Sequence, residues 1–60
     1  MIIKLKDNNR TKYYQHTSNG RPILGAKGLA ANFDRELGQK VLEHLRQLDH
    51  RFAEAELVSE

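Results

Sequence analysis

One stretch of the chain, residues 34–52, has the apolar spacing of an amphipathic helix. Its apolar side chains recur at steps of four, four, three and four residues: Leu37, Val41, Leu45, Leu48 and Phe52. At about 100° per residue, these side chains form a stripe roughly 80° wide. Asp34 is a suitable N-cap, and Glu36 and Lys40 form a favourable i,i+4 pair. Because the stripe must be buried, the first half of the chain has to supply an apolar surface that covers it.

The first half of the chain has the pattern of three antiparallel strands. Residues 2–6 alternate between apolar and lysine side chains after the first position, which is the period of a half-buried strand. Residues 11–17 are rich in β-favouring side chains and lead into Asn19-Gly20, a dipeptide that favours a type I′ hairpin turn. Residues 21–25 are expected to return as the third strand.

The hairpin turn predicts the register of the second and third strands. Counting outward from Asn19-Gly20 gives these opposed pairs: Ser18 with Arg21, His16 with Ile23, Tyr14 with Gly25, and Tyr13 with Ala26. The side that receives the helix then consists of Ile3, Leu5, Tyr13 and Leu24. The other side displays Lys4, Lys6, Lys12, Tyr14, His16 and Arg21. A shift of one residue would exchange the two sides.

The rest of the chain predicts a connector, the helix and a last strand. Residues 26–32 are expected to form a connector with one helical turn, and Phe33 to anchor it in the core. The helix is expected to end within residues 50–53, before a short strand at about residues 55–58 that a right-handed crossover would place parallel to the first strand. The predicted fold is α+β: a three-stranded antiparallel β-meander, one long amphipathic helix packed on one face, and a short fourth C-terminal strand (βββαβ), in a single domain of residues 1–60.

Charge is distributed unevenly along the chain. Residues 1–28 carry a formal charge of +5 and residues 29–60 one of −3, although the whole chain carries only +2. Small domains also show such asymmetry by chance, but a basic half is a natural surface for a polyanion or an acidic protein. We expect basic and aromatic residues of the sheet and connector to bind that partner: Lys4, Lys6, Lys12, Tyr14, His16, Arg21 and Lys27.

Several classes of function lack the residues that they need. The chain has no cysteine, and His44 and His50 would lie about 120° apart around a helix, which is a poor metal-ligand set. Neither Thr17 nor Ser18 has a positioned base. We therefore expect no enzymatic activity, no cofactor, no metal and no small-molecule substrate. The apolar run within residues 1–6 is too short for a signal peptide or a membrane span, which predicts a cytoplasmic protein without membrane contact.

Two motifs resemble parts of nucleic-acid-binding families. Gly25-Ala26-Lys27-Gly28 resembles the phosphate-clamping Gly-x-x-Gly loop of KH domains, although a flexible exit from the third strand explains it as well. Tyr13-Tyr14 before a glycine turn, followed by Gly25, is similar to the arm-binding domains of tyrosine recombinases. Over residues 3–48, three strands and a helix resemble the topology of those domains and of plant AP2-type domains, which implies a sheet that enters the major groove of DNA.

The layout consists of a strand with two tyrosines, a hairpin with a Gly-x-Pro sequence, a connector of small residues that ends in phenylalanine, and one amphipathic helix with an acidic tail. This layout also resembles that of short phage and prophage proteins, which implies stoichiometric binding to a host protein or complex. We predict a non-enzymatic protein that regulates or inhibits by binding nucleic acid, or a complex that handles nucleic acid, through its basic and aromatic sheet face. The alternative is a protein–protein interaction module or homodimer that inhibits a host protein through its helix or a sheet edge, without contact with nucleic acid. In that alternative Leu42, about 60° from the apolar stripe and outside the predicted core, is a contact residue.

Overall fold

A computed structural model describes residues 1–59 of the chain. Its elements are, in order, β1 (Ile2–Asp7), β2 (Arg10–Ser18), β3 (Arg21–Gly25), a first 3₁₀ helix (Lys27–Leu29), α1 (Arg35–Leu48), a second 3₁₀ helix (His50–Phe52) and β4 (Glu56–Val58). The four strands form one antiparallel sheet in the order β3-β2-β1-β4. The predicted α+β class and the βββαβ order are confirmed.

Two-residue turns join the first three strands. Asn8 and Asn9 have φ values of 53° and 64°, and Asn19 and Gly20 have values of 51° and 76°. A type I′ turn requires positive φ at both central residues, and asparagine and glycine adopt such values at the lowest cost. The hairpin predicted at Asn19-Gly20 is confirmed, and the β1–β2 connection is a second one of the same kind.

A β-bulge in β2 changes the register of the second hairpin. The pairs next to the turn are as predicted: Ser18 with Arg21 and His16 with Ile23. Between His16 and Tyr14 the register shifts, so that Tyr14 pairs with Leu24 and Tyr13 pairs with Gly25. The predicted partners of both tyrosines are therefore wrong, and so are the sides of the sheet assigned to them.

The bulge reconciles two turns whose registers disagree. Counted from the first turn, the β1–β2 ladder places Tyr13 opposite Lys4, so Tyr14 takes the same side as Ile3. Counted from the second turn, an unbroken ladder would place Leu24 on the side away from Tyr14. The additional residue at position 15 keeps Tyr14 and Leu24 on one side, where both pack in the core.

The core draws residues from both halves of the chain. Its buried cluster consists of Ile3, Leu5, Tyr14, Leu42, Leu45, Phe52 and Ala55. The Tyr14 ring stacks on Phe33 with the ring centroids 6.3 Å apart, and it meets Phe52 edge-on at 6.2 Å. Its hydroxyl is 2.8 Å from Oγ1 of Thr17, within hydrogen-bonding distance. Tyr14 is thus a core residue, and its predicted display on the sheet surface is wrong. Phe33 packs against the core as predicted.

α1 begins as predicted and ends earlier. Asp34 is the N-cap, and its carboxylate accepts a hydrogen bond from a backbone N–H three residues ahead at 2.8 Å. The helix ends at Leu48 rather than within residues 50–53. Asp49 ends it, because its backbone is extended and its carboxylate accepts a hydrogen bond from the N–H of Arg51 at the start of the second 3₁₀ helix.

α1 is rotated relative to the predicted stripe. Leu42, predicted to lie outside the core, is 2% exposed, whereas Leu37 and Leu48 are 50% and 44% exposed. The reason for this rotation is a close contact at Gly38. A Cβ built on Gly38 would lie 2.8 Å from Cδ1 of Leu57, so α1 approaches β4 at the position where the helix has no side chain. The predicted roles of all three leucines are therefore wrong.

β4 runs antiparallel to β1, with Leu57 opposite Ile3, so the predicted parallel pairing is wrong. The guanidinium of Arg46 donates hydrogen bonds to the carbonyl oxygens of Phe52 at 3.3 Å and Ala55 at 2.8 Å. These bonds hold the segment after the helix against the last turns of α1. β4 consequently starts near the C-terminal end of the helix and runs back along it.

Candidate functional site

One side of the sheet carries four of the seven predicted binding residues. Strand alternation and the observed register place these side chains on the side opposite Ile3 and Tyr14: Lys4, Lys6, Tyr13, His16 and Arg21. This side is named the Tyr13 face. Lys4 and Tyr13 are half-buried, and the other three are exposed. The structure therefore brings Lys4, Lys6, His16 and Arg21 together on one surface, as the sequence predicts.

The other three predicted binding residues lie elsewhere. Lys12 is opposite Leu5, on the core side of the sheet, with its Nζ 3.5 Å from Oδ2 of Asp7. Tyr14 is buried in the core. Lys27 is exposed in the first 3₁₀ helix, within the connector that follows β3. Lys12 and Tyr14 thus have contacts inside the fold that account for their positions.

Tyr13 lies in the middle of the Tyr13 face. In register, Lys4 stands on one side of it and Gly25 on the other, with Glu56 beyond Lys4. Gly25 has no side chain, and a Cβ built there would overlap the carboxamide of Gln15. In register, Tyr13 therefore lies between Lys4 on β1 and Gly25 on β3, where the carboxamide of Gln15 occupies the space over the glycine.

Reasoning from the sequence missed Tyr13 because it counted from one turn only. The Asn8-Asn9 turn carries the same signal, two adjacent residues that tolerate positive φ. Counting from that turn places Tyr13 opposite Lys4, as the structure has it. The two turns flank β2, and the registers counted from each turn disagree. The sequence therefore already indicated a conflict of register in β2.

The cations of the Tyr13 face form no salt bridge within residues 1–59. The salt bridges in this part of the chain use other side chains, and Lys4, Lys6 and Arg21 take part in none of them. Glu56, the register partner of Lys4, is an acidic neighbour on the same face. A cation without a carboxylate partner is free to form charge-assisted hydrogen bonds with an anion such as phosphate.

The charges on the core side of the sheet are paired. Asp7 lies 3.5 Å from Lys12 and 3.6 Å from Arg51, and Arg51 binds Asp49 at 2.6 Å. The side-chain and backbone hydrogen bonds of Arg51 hold the pKa of Asp49 below its usual range, and Asp49 in turn raises the pKa of Arg51. This network ties β1 and β2 to the second 3₁₀ helix.

A shallow cleft of about 490 Å³ adjoins the Tyr13 face where β1 extends past β4. β4 pairs only with residues 2–4 of β1, which leaves the following part of that strand uncovered at this edge. Besides His50, the side chains that line the cleft include these charged groups: Lys4, Lys6, Arg51, Glu54 and Glu56. Because cations and carboxylates are mixed there, the cleft by itself selects no single ligand charge.

In the described residues, 1–59, no group of three or more histidine, cysteine, aspartate or glutamate side chains is placed to hold a metal ion. The same part of the chain has no helix with the length and apolar character needed to cross a bilayer. Comparison of the chain with protein-family models, with curated proteins and with solved structures gives no match. The resemblances to recombinase, AP2-type, KH and phage proteins therefore stay predictions.

Proposed function

We propose that the protein binds nucleic acid through the Tyr13 face and acts without catalysis, in the cytoplasm, as a stoichiometric regulator or inhibitor. We also infer that α1 lies against the core side of the sheet alone, which leaves the Tyr13 face accessible. One observation carries the proposal: Lys4, Lys6 and Arg21, three cations that form no ion pair with any residue in the described range 1–59, share a face with a half-buried tyrosine.

The cations are spread along the face at a spacing that suits a nucleic-acid backbone. Lys6 lies opposite Thr11 and Arg21 opposite Ser18, near the two ends of β2. At roughly 3.3 Å per residue, this interval spans roughly 20 Å, which equals the rise of about six base pairs along the axis of a duplex. A bound strand can therefore meet cations at both ends of the face while it passes over Tyr13.

Tyr13 and Gln15 supply interactions other than charge. An aromatic ring packs on a base or a sugar whatever the sequence of the nucleic acid, and a carboxamide can donate to and accept from the edge of a base. Lys4 is next to Tyr13 in register, and we expect its ammonium group to neutralise the adjoining phosphate. We expect binding that is dominated by phosphate contacts and has little sequence preference.

The test is fluorescence anisotropy with labelled single-stranded and duplex oligonucleotides over a range of salt concentrations. We expect the double variant Lys4→Glu with Lys6→Glu to weaken binding by about 10-fold or more, because it replaces two phosphate contacts by repulsion. For a single strand, the slope of log K against log salt should fall by about 1.4, at roughly 0.7 for each phosphate that is no longer neutralised.

The matched control is Arg35→Glu with Lys40→Glu, which makes the same change of charge at two exposed positions of α1. We expect it to weaken binding much less than the variant of the Tyr13 face. Equal weakening by both double variants would show attraction to net charge alone, and unchanged affinity in the face variant would remove the face as the site.

A second variant tests the aromatic interaction separately. We expect Tyr13→Ala to cost about 1–3 kcal/mol of binding free energy, the usual value of stacking one base on an aromatic side chain. The salt slope should stay at the wild-type value, because the variant still neutralises the same phosphates. A fall in the slope together with the affinity would mean that Tyr13 only positions the cations.

Capture from cell extract separates this proposal from the alternative of a protein partner. The wild-type chain is immobilised, and bound material is compared with and without nuclease digestion. A partner retained after complete digestion, together with no affinity for either oligonucleotide, contradicts the nucleic-acid proposal.

A further inference from the structure

Tyr13 lies on an inner strand of the sheet. The strand order is β3-β2-β1-β4, so β2 and β1 each have a neighbouring strand on both sides. All four strands are present at the level of this ring, where the residues in register are Glu56, Lys4, Tyr13 and Gly25. At about 4.8 Å between neighbouring strands, the axes of the two outer strands are roughly 14 Å apart. The Tyr13 face is therefore the broad side of the sheet.

The broad side of such a sheet does not fit into the groove of a duplex. The major groove of B-form DNA is about 12 Å wide and admits a two-stranded ribbon, and that of an RNA duplex is too narrow for side chains to read. The faces of paired bases are also covered by the bases stacked above and below them, so the ring of Tyr13 cannot pack on them. A single strand has unpaired bases whose faces can pack on an aromatic ring.

The charges of the face favour one phosphate backbone over two. Cations mark a single path across the face, from Lys6 on β1 past Tyr13 on β2 to Arg21 on β3. The charged side chain that β4 contributes to this face is Glu56, which is exposed and lies opposite Lys4. A duplex carries two phosphate backbones, and a backbone that lay over β4 would be repelled by this carboxylate.

We propose that the Tyr13 face binds single-stranded nucleic acid, with one unpaired base stacked on the ring of Tyr13 and phosphates to either side of it on Lys6 and Arg21. This inference rests on the proposed function and narrows it to one class of ligand. DNA and RNA strands share the chemistry that the face recognises, which is a phosphodiester backbone with unpaired bases.

The first test compares a labelled strand with the same strand annealed to its complement, as DNA and as RNA. Fluorescence anisotropy is measured at about 0.15 M salt, where attraction to exposed charge is partly screened. We expect the single strand to bind at least about 5-fold more tightly, the smallest usual effect of one stacked base. A preference for the single strand in either DNA or RNA supports the inference.

The opposite results separate this inference from the proposed function. A duplex that binds as tightly as the single strand, in both DNA and RNA, overturns the inference. The proposed function then still stands if Lys4→Glu with Lys6→Glu weakens the binding of both forms. Absence of binding to single strand and duplex alike overturns both proposals.

The second test asks whether the ring of Tyr13 causes the preference. Tyr13→Ala should weaken the binding of the single strand about 5- to 150-fold and leave that of the duplex unchanged, which also shows that the variant is folded. The matched control Tyr13→Phe keeps the ring and should bind both forms as the wild type does. Three results would each overturn the assignment of the base to this ring: equal weakening of both forms in Tyr13→Ala, no weakening of either, or an equal loss in Tyr13→Phe.

Discussion

Tyr13 and Tyr14 are neighbours in β2 with the same chemistry, but they occupy opposite sides of the sheet and different environments. Tyr14 is 8% exposed, its ring stacks on Phe33, and its hydroxyl is within hydrogen-bonding distance of Thr17. Tyr13 is half-buried on the other side, opposite Lys4. The two tyrosines show that residue type alone does not decide what a side chain does in this fold. The role of the side chain depends on the side of the sheet on which the register places it.

The lysines repeat this contrast. Lys12, on the core side, is paired with Asp7 in a network that continues to Arg51. Lys6, on the Tyr13 face, has no salt bridge within residues 1–59. A side chain whose interactions are satisfied inside the fold contributes to its geometry, whereas one without internal partners is available to a ligand.

The largest expected effect is a difference in stability between the two tyrosines. Tyr14→Ala should lower the free energy of unfolding by about 3–5 kcal/mol, because it removes an aromatic ring from the core. Tyr13→Ala should lower it by less than about 1 kcal/mol, as surface substitutions usually do. Urea unfolding followed by far-ultraviolet circular dichroism measures both.

A domain of this size is only marginally stable, so a conservative variant of Tyr14 is measured together with the two alanine variants. Tyr14→Phe keeps the ring but removes the hydroxyl that faces Thr17, and should cost about 1 kcal/mol. Equal losses of stability for Tyr13→Ala and Tyr14→Ala would contradict the assignment of Tyr14 to the core and of Tyr13 to the opposite face.

Deletion of Gln15 tests whether the bulge in β2 determines which side of the sheet Tyr13 and Tyr14 occupy. The deletion makes the β2–β3 ladder continuous and still leaves Tyr14 opposite Leu24. We expect the fold to persist with a smaller loss of stability than Tyr14→Ala causes. Nuclear Overhauser effects between the rings of Tyr14 and Phe52 should remain. Nuclear Overhauser effects from Tyr13 to Phe52 instead would show that the register, and with it the two faces, had exchanged.

The smallest expected effect concerns the charge network on the core side. Because the pKa of Asp49 is lower in the folded state, its stabilisation is fully present above the unfolded pKa of about 3.9 and is lost as the pH falls through the folded value. Asp49→Asn, which keeps the capping oxygen, should cost about 1 kcal/mol at pH 7. The difference from the wild type should shrink below about pH 4.

Lys6→Gln on the Tyr13 face is the control for this pH series. This variant should leave the free energy of unfolding unchanged throughout the pH series, because Lys6 forms no salt bridge within residues 1–59. A constant difference between the wild type and Asp49→Asn from pH 7 to pH 3 would show that the carboxylate charge of Asp49 does not stabilise the fold.

The sequence by itself determined the features whose causes are local. Two residues of a turn can adopt positive φ without help from the rest of the chain, so both asparagine turns could be predicted. Asp34 bonds to an N–H three residues away, so the start of α1 could be predicted too. The separation of charge along the chain and the order of the elements follow from the sequence in the same way.

Only the tertiary structure decided which side chains are buried and which are displayed. The side of Tyr13 depended on a conflict between two turns, and the rotation of α1 depended on Leu57 approaching Gly38 across 19 positions of the chain. The direction of β4 depended on Arg46 binding the carbonyl oxygens of the segment that precedes the strand. These outcomes depend on contacts between segments that are distant in the chain. Local patterns, such as the two turns that flank β2, can disagree, and only the tertiary contacts decide between them.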